Sequence, residues 1–242
     1  SRLCERYRSN LLGVISDVSY GHGGVENPEA GLTLCRQIRA DDPFIPILLQ
    51  SSDPQHRQAA EACNAKYLYK HSKKLLHNLQ RYIRLEYGFG DILFRNPETG
   101  EVVERASDLR ELQHKIASVP EESLVYHASR NDISRWLRAR ALYSLADVMA
   151  EYTLDGDNIG KARTEIDELI AAYRRFESRG RIAHFERDRF DEYTTFCRLG
   201  NGSLGGKGRG LAFIDRSLKE NRLRHAYEGI IVSVPQTVVL ST

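Results

Sequence analysis

The chain has 242 residues, 41% of them hydrophobic and 28% charged, which is typical of a globular protein with one large domain or two smaller ones. Lys and Arg outnumber Asp and Glu by only 35 to 33, so the charge balance gives no field that would favour nucleic acid or a membrane surface as a partner. No apolar run approaches the roughly 20 residues that a helix needs to cross a bilayer.

The cysteines and the methionine bear on the cell compartment and on the extent of the chain. The four cysteines lie far apart and form no CxxC pair, a pattern that indicates reduced thiols and predicts a cytoplasmic protein. The one methionine is Met149, and the chain starts in a helix-like stretch. We therefore expect this sequence to be an internal segment of a longer protein, cut at both ends.

The first part of the chain, residues 1–87, alternates strand-like and helix-like patterns. Apolar runs predict buried strands at 11–18, 45–52 and 67–70. Apolar residues at helical spacing predict helices at about 2–9, 29–40, 54–64 and 73–86. Strands that alternate with helices favour βα units, so we predict an α/β fold with part of a doubly wound parallel sheet.

The middle part, residues 88–195, has a different pattern. The turn residues Asn96–Gly100 predict a hairpin over 92–106. Helices are predicted over 108–118, with Ser107 and Glu111 as an imperfect capping pair, over 131–150, and over 158–178 with Asp157 as N-cap. This part is therefore a hairpin followed by a mainly helical connector.

The last part, residues 196–242, begins with a glycine-rich loop. A helix to about Glu220 and two short strands, 229–234 and 237–241, are predicted to follow it.

Three polar residues follow the three buried strands of the first part: Asp17, Ser51 and Lys70. The carboxyl ends of parallel strands form the edge where ligands bind in open α/β sheets. A carboxylate, a hydroxyl and an ammonium group at that edge could accept and hold a phosphoryl group. Strand ends are also often polar because the chain emerges there into water, and the residues alone leave both interpretations open.

The segments ISDV, AGLTLCRQIR, PILLQSS and YLYKHS resemble the second half of a receiver domain of two-component response regulators, which has a flavodoxin-like fold. The resemblance implies that Asp17 is the phospho-acceptor and a Mg²⁺ ligand, that Ser51 is the family's Ser/Thr, and that Lys70 is its lysine. It also implies a sensor histidine kinase or another phosphodonor as partner. The family's pair of Mg²⁺-binding acids belongs to an earlier strand that this chain lacks, so Asp17 should be a poor acceptor in this segment.

The loop GNGSLGGKGRG does not fit a P-loop, because Asn201 and Gly208 stand where that pattern needs glycine and Ser or Thr. Glycine-rich backbone with a lysine before a helix can still hold phosphate, and a flexible linker between domains is the alternative. The segments LGNGSLGGKGRGLAFI and IIVSVPQTVVLST resemble the start of the nucleotide-binding, ATP-grasp domain of pyruvate phosphate dikinase and phosphoenolpyruvate synthase. The resemblance implies that Gly205, Gly206 and Lys207 contact the phosphates of ATP, with Mg²⁺ as cofactor.

The connector segment SLVYHASRNDISRWLRAR is similar to the linker of bacterial proteins that fuse a receiver to such a synthase module. His127, Arg130 and Arg138 could contact phosphate, and salt bridges with Glu121, Glu122 and Asp132 are the alternative interpretation.

Together these resemblances predict the regulatory part of a receiver-fused phosphotransferase. Phosphorylation of Asp17 would control an ATP-binding module that acts on pyruvate or phosphoenolpyruvate in the full-length protein. The alternative is a receiver-like docking or dimerisation module, such as a homodimer contact, that is never phosphorylated.

Overall fold

The computed structural model describes residues 6–7, 10–22, 25–154, 157–178, 181–187 and 191–241, without the side chains of residues 22, 25 and 26. The fold is mixed α/β with parallel sheets, as the sequence predicts. The chain divides into two compact units, Ser1–Asp167 and Glu168–Thr242. Within the described residues, no helix is long and apolar enough to cross a membrane.

The first unit begins with three βα segments. Its elements in chain order are β1 (Val14–Asp17), β2 (Tyr20–His22), β3 (Val25–Asn27), α1 (Ala30–Asp41), β4 (Ile47–Ser51), α2 (His56–Ala62), β5 (Lys66–Tyr69) and α3 (Leu75–Glu86). Strands β1, β4 and β5 form a parallel sheet in the order β1-β4-β5, and β2 and β3 form an antiparallel hairpin after β1. The helix predicted over 2–9 lies largely outside the described residues.

The core of this sheet consists of apolar side chains from β4, α1 and the segments beside them. Leu49 is fully buried in the central strand, and Leu32, Cys35 and Ile38 on α1 pack at helical spacing against it. Strand β1 pairs only with β4 in the described part of the chain, and its Ile15 is 42% exposed. On α3, Leu75, Leu79 and Ile83 are half-buried, whereas Leu76 is 78% exposed.

The rest of the first unit is a hairpin and a series of short helices. Its elements are β6 (Ile92–Arg95), β7 (Val102–Ala106), α4 (Leu109–Ser118), α5 (Glu121–Ser129), α6 (Asp132–Arg138), α7 (Tyr143–Glu151) and α8 (Ile159–Glu177), and the boundary between the units falls within α8. The predicted hairpin is confirmed, with β6 and β7 antiparallel.

Three local predictions in this segment differ from the structure in whole or in part. The single helix predicted over 131–150 is two helices, because Ala141 has left-handed backbone with φ 58° and ends the first one. The predicted Ser107–Glu111 pair forms, since the Glu111 carboxylate accepts hydrogen bonds from the Ser107 N–H at 2.8 Å and from its hydroxyl at 2.9 Å. The N-cap of α4 is nevertheless Asp108, whose carboxylate accepts a hydrogen bond from the Glu111 N–H at 2.8 Å. Helix α8 begins at Ile159, so Asn158 rather than Asp157 directly precedes it.

The second unit contains a three-stranded parallel sheet and one long helix. Its further elements are β8 (Ile182–His184), β9 (Phe196–Leu199), α9 (Gly205–Glu220), a 3₁₀ turn (Leu223–His225) and β10 (Thr237–Leu240), with strand order β8-β9-β10. Strand 237–241 is confirmed at Thr237–Leu240, whereas the strand predicted over 229–234 is absent among the described residues, where a single bridge joins Tyr227 and Ile230. The prediction missed β8 and β9, which are too short to show a period-two pattern.

Candidate functional site

The carboxyl-terminal edge of the first sheet brings the three predicted site residues to one end of the molecule's first unit. Asp17 is the last residue of β1, Ser51 is the last residue of β4, and Lys70 directly follows β5. Asp17 is in register with Gln50, and the Lys70 N–H donates to the Ser51 carbonyl at 2.9 Å. The strand registers therefore align the three residues, as expected for parallel strands that end together.

Asp17 and Lys70 form an ion pair at this edge. The Lys70 Nζ lies 2.9 Å from Asp17 Oδ2, and each side chain is 35% exposed. A partly exposed ion pair of this kind contributes about 0–1 kcal/mol to stability. Its main effect is therefore to fix the positions of the Asp17 and Lys70 side chains relative to each other. The other oxygen, Asp17 Oδ1, is buried and has no hydrogen-bond partner among the described residues.

Gly31 is a part of the site that the sequence analysis did not single out. Its N–H donates to the Val18 carbonyl at 2.8 Å. A Cβ at this position would lie 2.0 Å from the backbone oxygen of Asp17, far inside van der Waals contact. The start of α1 therefore packs directly against the backbone of Asp17, and only glycine fits at residue 31.

Ser51 points toward the loop that leads into α2. Its Oγ lies 2.8 Å from His56 Nδ1 and accepts a hydrogen bond from the Asp53 N–H at 3.0 Å. Tyr67 anchors this loop, because its hydroxyl donates a hydrogen bond to the Asp53 carbonyl at 2.7 Å. Burial raises the pKa of the Tyr67 hydroxyl, so this group stays protonated and remains a donor. The hydroxyl of Ser51 is thus positioned by His56, a contact that the sequence pattern did not indicate.

The described residues at this edge offer one free carboxylate oxygen to a Mg²⁺ ion. Such an ion takes six oxygen ligands in near-octahedral geometry, usually with one or two carboxylates among them. Asp17 offers one free oxygen while Lys70 holds the other, and the described residues contain no group of three or more His, Cys, Asp or Glu that could hold a metal ion. That Asp17 is a metal ligand therefore depends on its free Oδ1 and stays a prediction.

The predicted ATP-binding residues lie at the start of α9 in the second unit. Gly205, Gly206 and Lys207 are exposed, and Gly205 has φ +65°, which lets the chain turn into the helix. The N-cap residue Leu204 makes no side-chain cap to the first N–H groups. The loop predicted over 200–210 is thus a loop only up to Leu204, and Lys207 belongs to the first helical turn.

A buried polar cluster in the second unit was also missed. Asp215 is 3% exposed, and its Oδ2 accepts hydrogen bonds from Lys219 Nζ at 2.6 Å and from Thr195 Oγ1 at 3.1 Å. Asp215 and Lys219 stand four residues apart, a spacing that allows an ion pair on a helix. The sequence could have indicated this ion pair through that spacing, but the spacing does not show that Asp215 is buried.

The polar residues of the connector make ion pairs. His127 is buried; its Nδ1 lies 2.7 Å from Asp132 Oδ2, and its Nε2 accepts from the Arg95 N–H at 2.9 Å. Arg130 Nε lies 3.5 Å from Asp132, as the salt-bridge interpretation expected. Arg138 pairs instead with Asp147 at 2.7 Å, and no described ion pair involves the acids at 121 and 122.

Comparison of the chain with known proteins identifies no relative. No family model matches the chain, and neither the curated proteins nor the solved structures give a significant match. The functional argument therefore depends on the site itself.

Proposed function

We propose that residues 1–87 act as a receiver-like module in which Asp17 accepts a phosphoryl group, and that this module regulates an ATP-dependent phosphotransferase. The observation that carries the proposal is the ion pair between Lys70 and Asp17 at the carboxyl edge of a parallel sheet. An aspartate held against a lysine at this edge, with a serine at the end of the neighbouring strand, supplies an acceptor, a counter-charge and a hydrogen-bond donor.

The transfer itself needs little covalent chemistry from the protein. A carboxylate oxygen of Asp17 attacks the phosphorus of the donor, the bond from phosphorus to the leaving group breaks, and the leaving group keeps the electron pair. The Lys70 ammonium, already 2.9 Å from the carboxylate, neutralises charge on the bound phosphoryl group. Ser51 would turn its hydroxyl from His56 toward the new phosphate oxygen.

The regulated module would include the second unit. Gly205, Gly206 and Lys207 at the start of α9 would offer backbone N–H groups and one ammonium to the phosphates of ATP. The Gly205 N–H now donates to Ser203 Oγ at 3.4 Å, so ATP would replace that hydrogen bond. A receiver-fused enzyme of the pyruvate phosphate dikinase or phosphoenolpyruvate synthase type, with pyruvate or phosphoenolpyruvate as the other substrate, fits this arrangement. The phosphodonor would be a sensor histidine kinase or a small acyl phosphate.

Acetyl phosphate treatment of the full-length protein in the presence of Mg²⁺ tests the acceptor. We expect a mass increase of one phosphoryl group that is released by hydroxylamine, as an acyl phosphate is. The increase should be lost in Asp17→Asn, strongly reduced in Lys70→Ala, and unchanged in Glu61→Gln, an exposed carboxylate on α2. A hydroxylamine-sensitive increase that persists in Asp17→Asn contradicts the assignment.

ATP binding tests the second module separately. Lys207→Ala in the full-length protein should weaken ATP affinity by about tenfold, the effect of losing a charged hydrogen bond. Lys73→Ala, an exposed lysine in the first unit, is the matched control and should leave the affinity unchanged. Equal affinity for the wild type and Lys207→Ala removes Lys207 from the ATP site.

A docking or dimerisation module remains the second candidate, supported by exposed apolar side chains and by the edge strand. Leu76 is 78% exposed on α3, and Ile15 is 42% exposed on β1, a strand that pairs on one side only among the described residues. In this case Leu76→Glu should lower the mass measured by light scattering, and Asp17→Asn should change neither that mass nor ATP turnover.

A further inference from the structure

A cavity of about 350 Å³ lies at the amino-terminal edge of the first sheet, opposite the edge that carries Asp17. One wall comes from the segment Pro43–Ile47, which leads into β4, and from Lys66 at the start of β5. The other wall comes from β6 and from the helices α5 and α6. The cavity therefore lies where the sheet meets the hairpin and the connector, all within the first unit.

The wall of this cavity is rich in cationic groups. Five basic side chains line it, against three acidic ones, Glu86, Asp91 and Asp132. The five basic side chains are Arg39, Lys66, Arg95, Arg130 and Arg135. A concave site with an excess of positive charge attracts small anions.

Asp132 cannot neutralise the cations around it. Its carboxylate is shared by His127 Nδ1 at 2.7 Å, Arg135 Nη1 at 3.0 Å and Arg130 Nε at 3.5 Å. One negative charge thus faces two guanidinium groups. The arrangement leaves positive charge beside the cavity and fixes the positions of both arginines.

Arg130 is the group best placed to receive an anion. Its guanidinium carbon lies 5.0 Å from the ring centres of both Phe44 and Tyr126, so two aromatic rings hold it. Its side chain is 34% exposed, and its buried Nε makes no hydrogen bond in the part of the chain that the structure describes. Other basic groups are engaged: Arg39 donates to the carbonyls of Asp42, Ile45 and Asn64.

We propose that this cavity binds a small phosphorylated metabolite, with its phosphate held by Arg130 and neighbouring cations. A guanidinium presents two parallel N–H groups that match two phosphate oxygens. The volume exceeds that of a bare ion and falls in the range of small-molecule sites, and the rings of Phe44 and Tyr126 can contact the rest of the ligand. Since the ligand would contact both walls, its binding would stabilise the packing of the sheet against the connector, whether or not Asp17 is phosphorylated.

Tryptophan fluorescence offers a direct assay, because Trp136 is the one tryptophan of the chain and lines the cavity. Inorganic phosphate and adenosine monophosphate are the probes, each titrated into the protein and checked by calorimetry. We expect saturable binding of both, with the monophosphate ester tighter because its base can contact the aromatic rings. No saturable heat and no fluorescence change with either probe overturns the proposal.

Variants locate the binding. Arg130→Gln should weaken the affinity for both probes by about tenfold or more, the effect of losing charged hydrogen bonds. Lys66→Gln, which removes an exposed cation from the opposite wall, should weaken it less and keeps the test valid if Arg130→Gln does not fold. Arg36→Gln, an exposed arginine on α1 that does not line the cavity, is the matched control. Equal affinities in all three variants and the wild type show that the anion binds elsewhere.

Discussion

Gly31 approaches the backbone of Asp17 more closely than any residue with a Cβ could. A Cβ there would lie 2.0 Å from the Asp17 oxygen and 2.9 Å from the Val18 Cα, and both are backbone atoms that no side-chain rotation can move. The observed position of the Asp17 backbone is thus possible only because glycine at residue 31 has no Cβ. This packing is a residue-scale constraint on the site.

Gly31→Ala should destabilise the protein by about 2 kcal/mol or more, because overpacking against backbone forces α1 away from β1. Gly160→Ala is the matched control, since a Cβ at Gly160 in α8 meets nothing within 4 Å. That variant should be neutral or more stable by up to about 1 kcal/mol, because alanine has the higher helix propensity. Urea denaturation measures both, and a neutral Gly31→Ala contradicts the close packing.

The Cys35 thiol gives a second prediction at the residue scale. Burial raises its pKa from the ordinary value of 9.0 to about 11, so the thiol stays protonated and unreactive at pH 8. Iodoacetamide at pH 8 should therefore modify the half-buried Cys63 at least about tenfold faster than Cys35. Urea-unfolded protein should show equal rates, and equal rates in the folded protein argue against a buried Cys35.

The same shift has a consequence for stability. The unfolded chain releases this proton near pH 9 and the folded chain near pH 11. The contribution of Cys35 to stability is therefore complete below pH 9 and is lost as the pH rises from 9 through 11.

At the scale of elements, the break between α6 and α7 separates two helices that a continuous apolar pattern joins. Ala141 has φ 58°, a left-handed conformation that costs a residue with a Cβ roughly 1–2 kcal/mol. The break turns α7 back onto α6, where Ser134 Oγ donates to the Ala146 carbonyl at 2.8 Å. Tertiary contact between the two helices offsets the local cost.

Ala141→Gly should raise the free energy of unfolding by up to about 1 kcal/mol, because glycine adopts left-handed backbone without a steric penalty. Ala150→Gly, at an exposed position inside α7, should lower it by about 0.5–1 kcal/mol. Thermal or urea denaturation distinguishes the two signs. A loss of stability in both variants means that residue 141 is helical.

At the scale of the whole molecule, each unit has one central strand with a partner on both sides. Strand β4 lies between β1 and β5 in the first unit, and β9 lies between β8 and β10 in the second. Leu48 and Leu49 of β4 are at most 2% exposed. Local opening of an edge strand breaks fewer contacts than opening of a central one.

Hydrogen exchange followed by mass spectrometry should therefore show slower exchange in peptides from β4 than in those from β1, and slower exchange in β9 than in β10. Peptides from the exposed segment around residue 203 serve as the unprotected reference. Exchange in β1 as slow as in β4 requires a second strand partner for β1.

The sequence by itself determined the alternation of strands and helices, the hairpin over 92–106, and the ends of three strands where Asp17, Ser51 and Lys70 stand. These features are local, since apolar periodicity and turn residues act over a few positions. Tertiary structure alone decided which groups meet. The contact of Gly31 with Asp17, the turn of Ser51 toward His56, the break at Ala141 and the position of Arg130 between Phe44 and Tyr126 all depend on packing that no short pattern encodes. The physical reason is that backbone geometry and burial are set by neighbours in space, many of them distant along the chain.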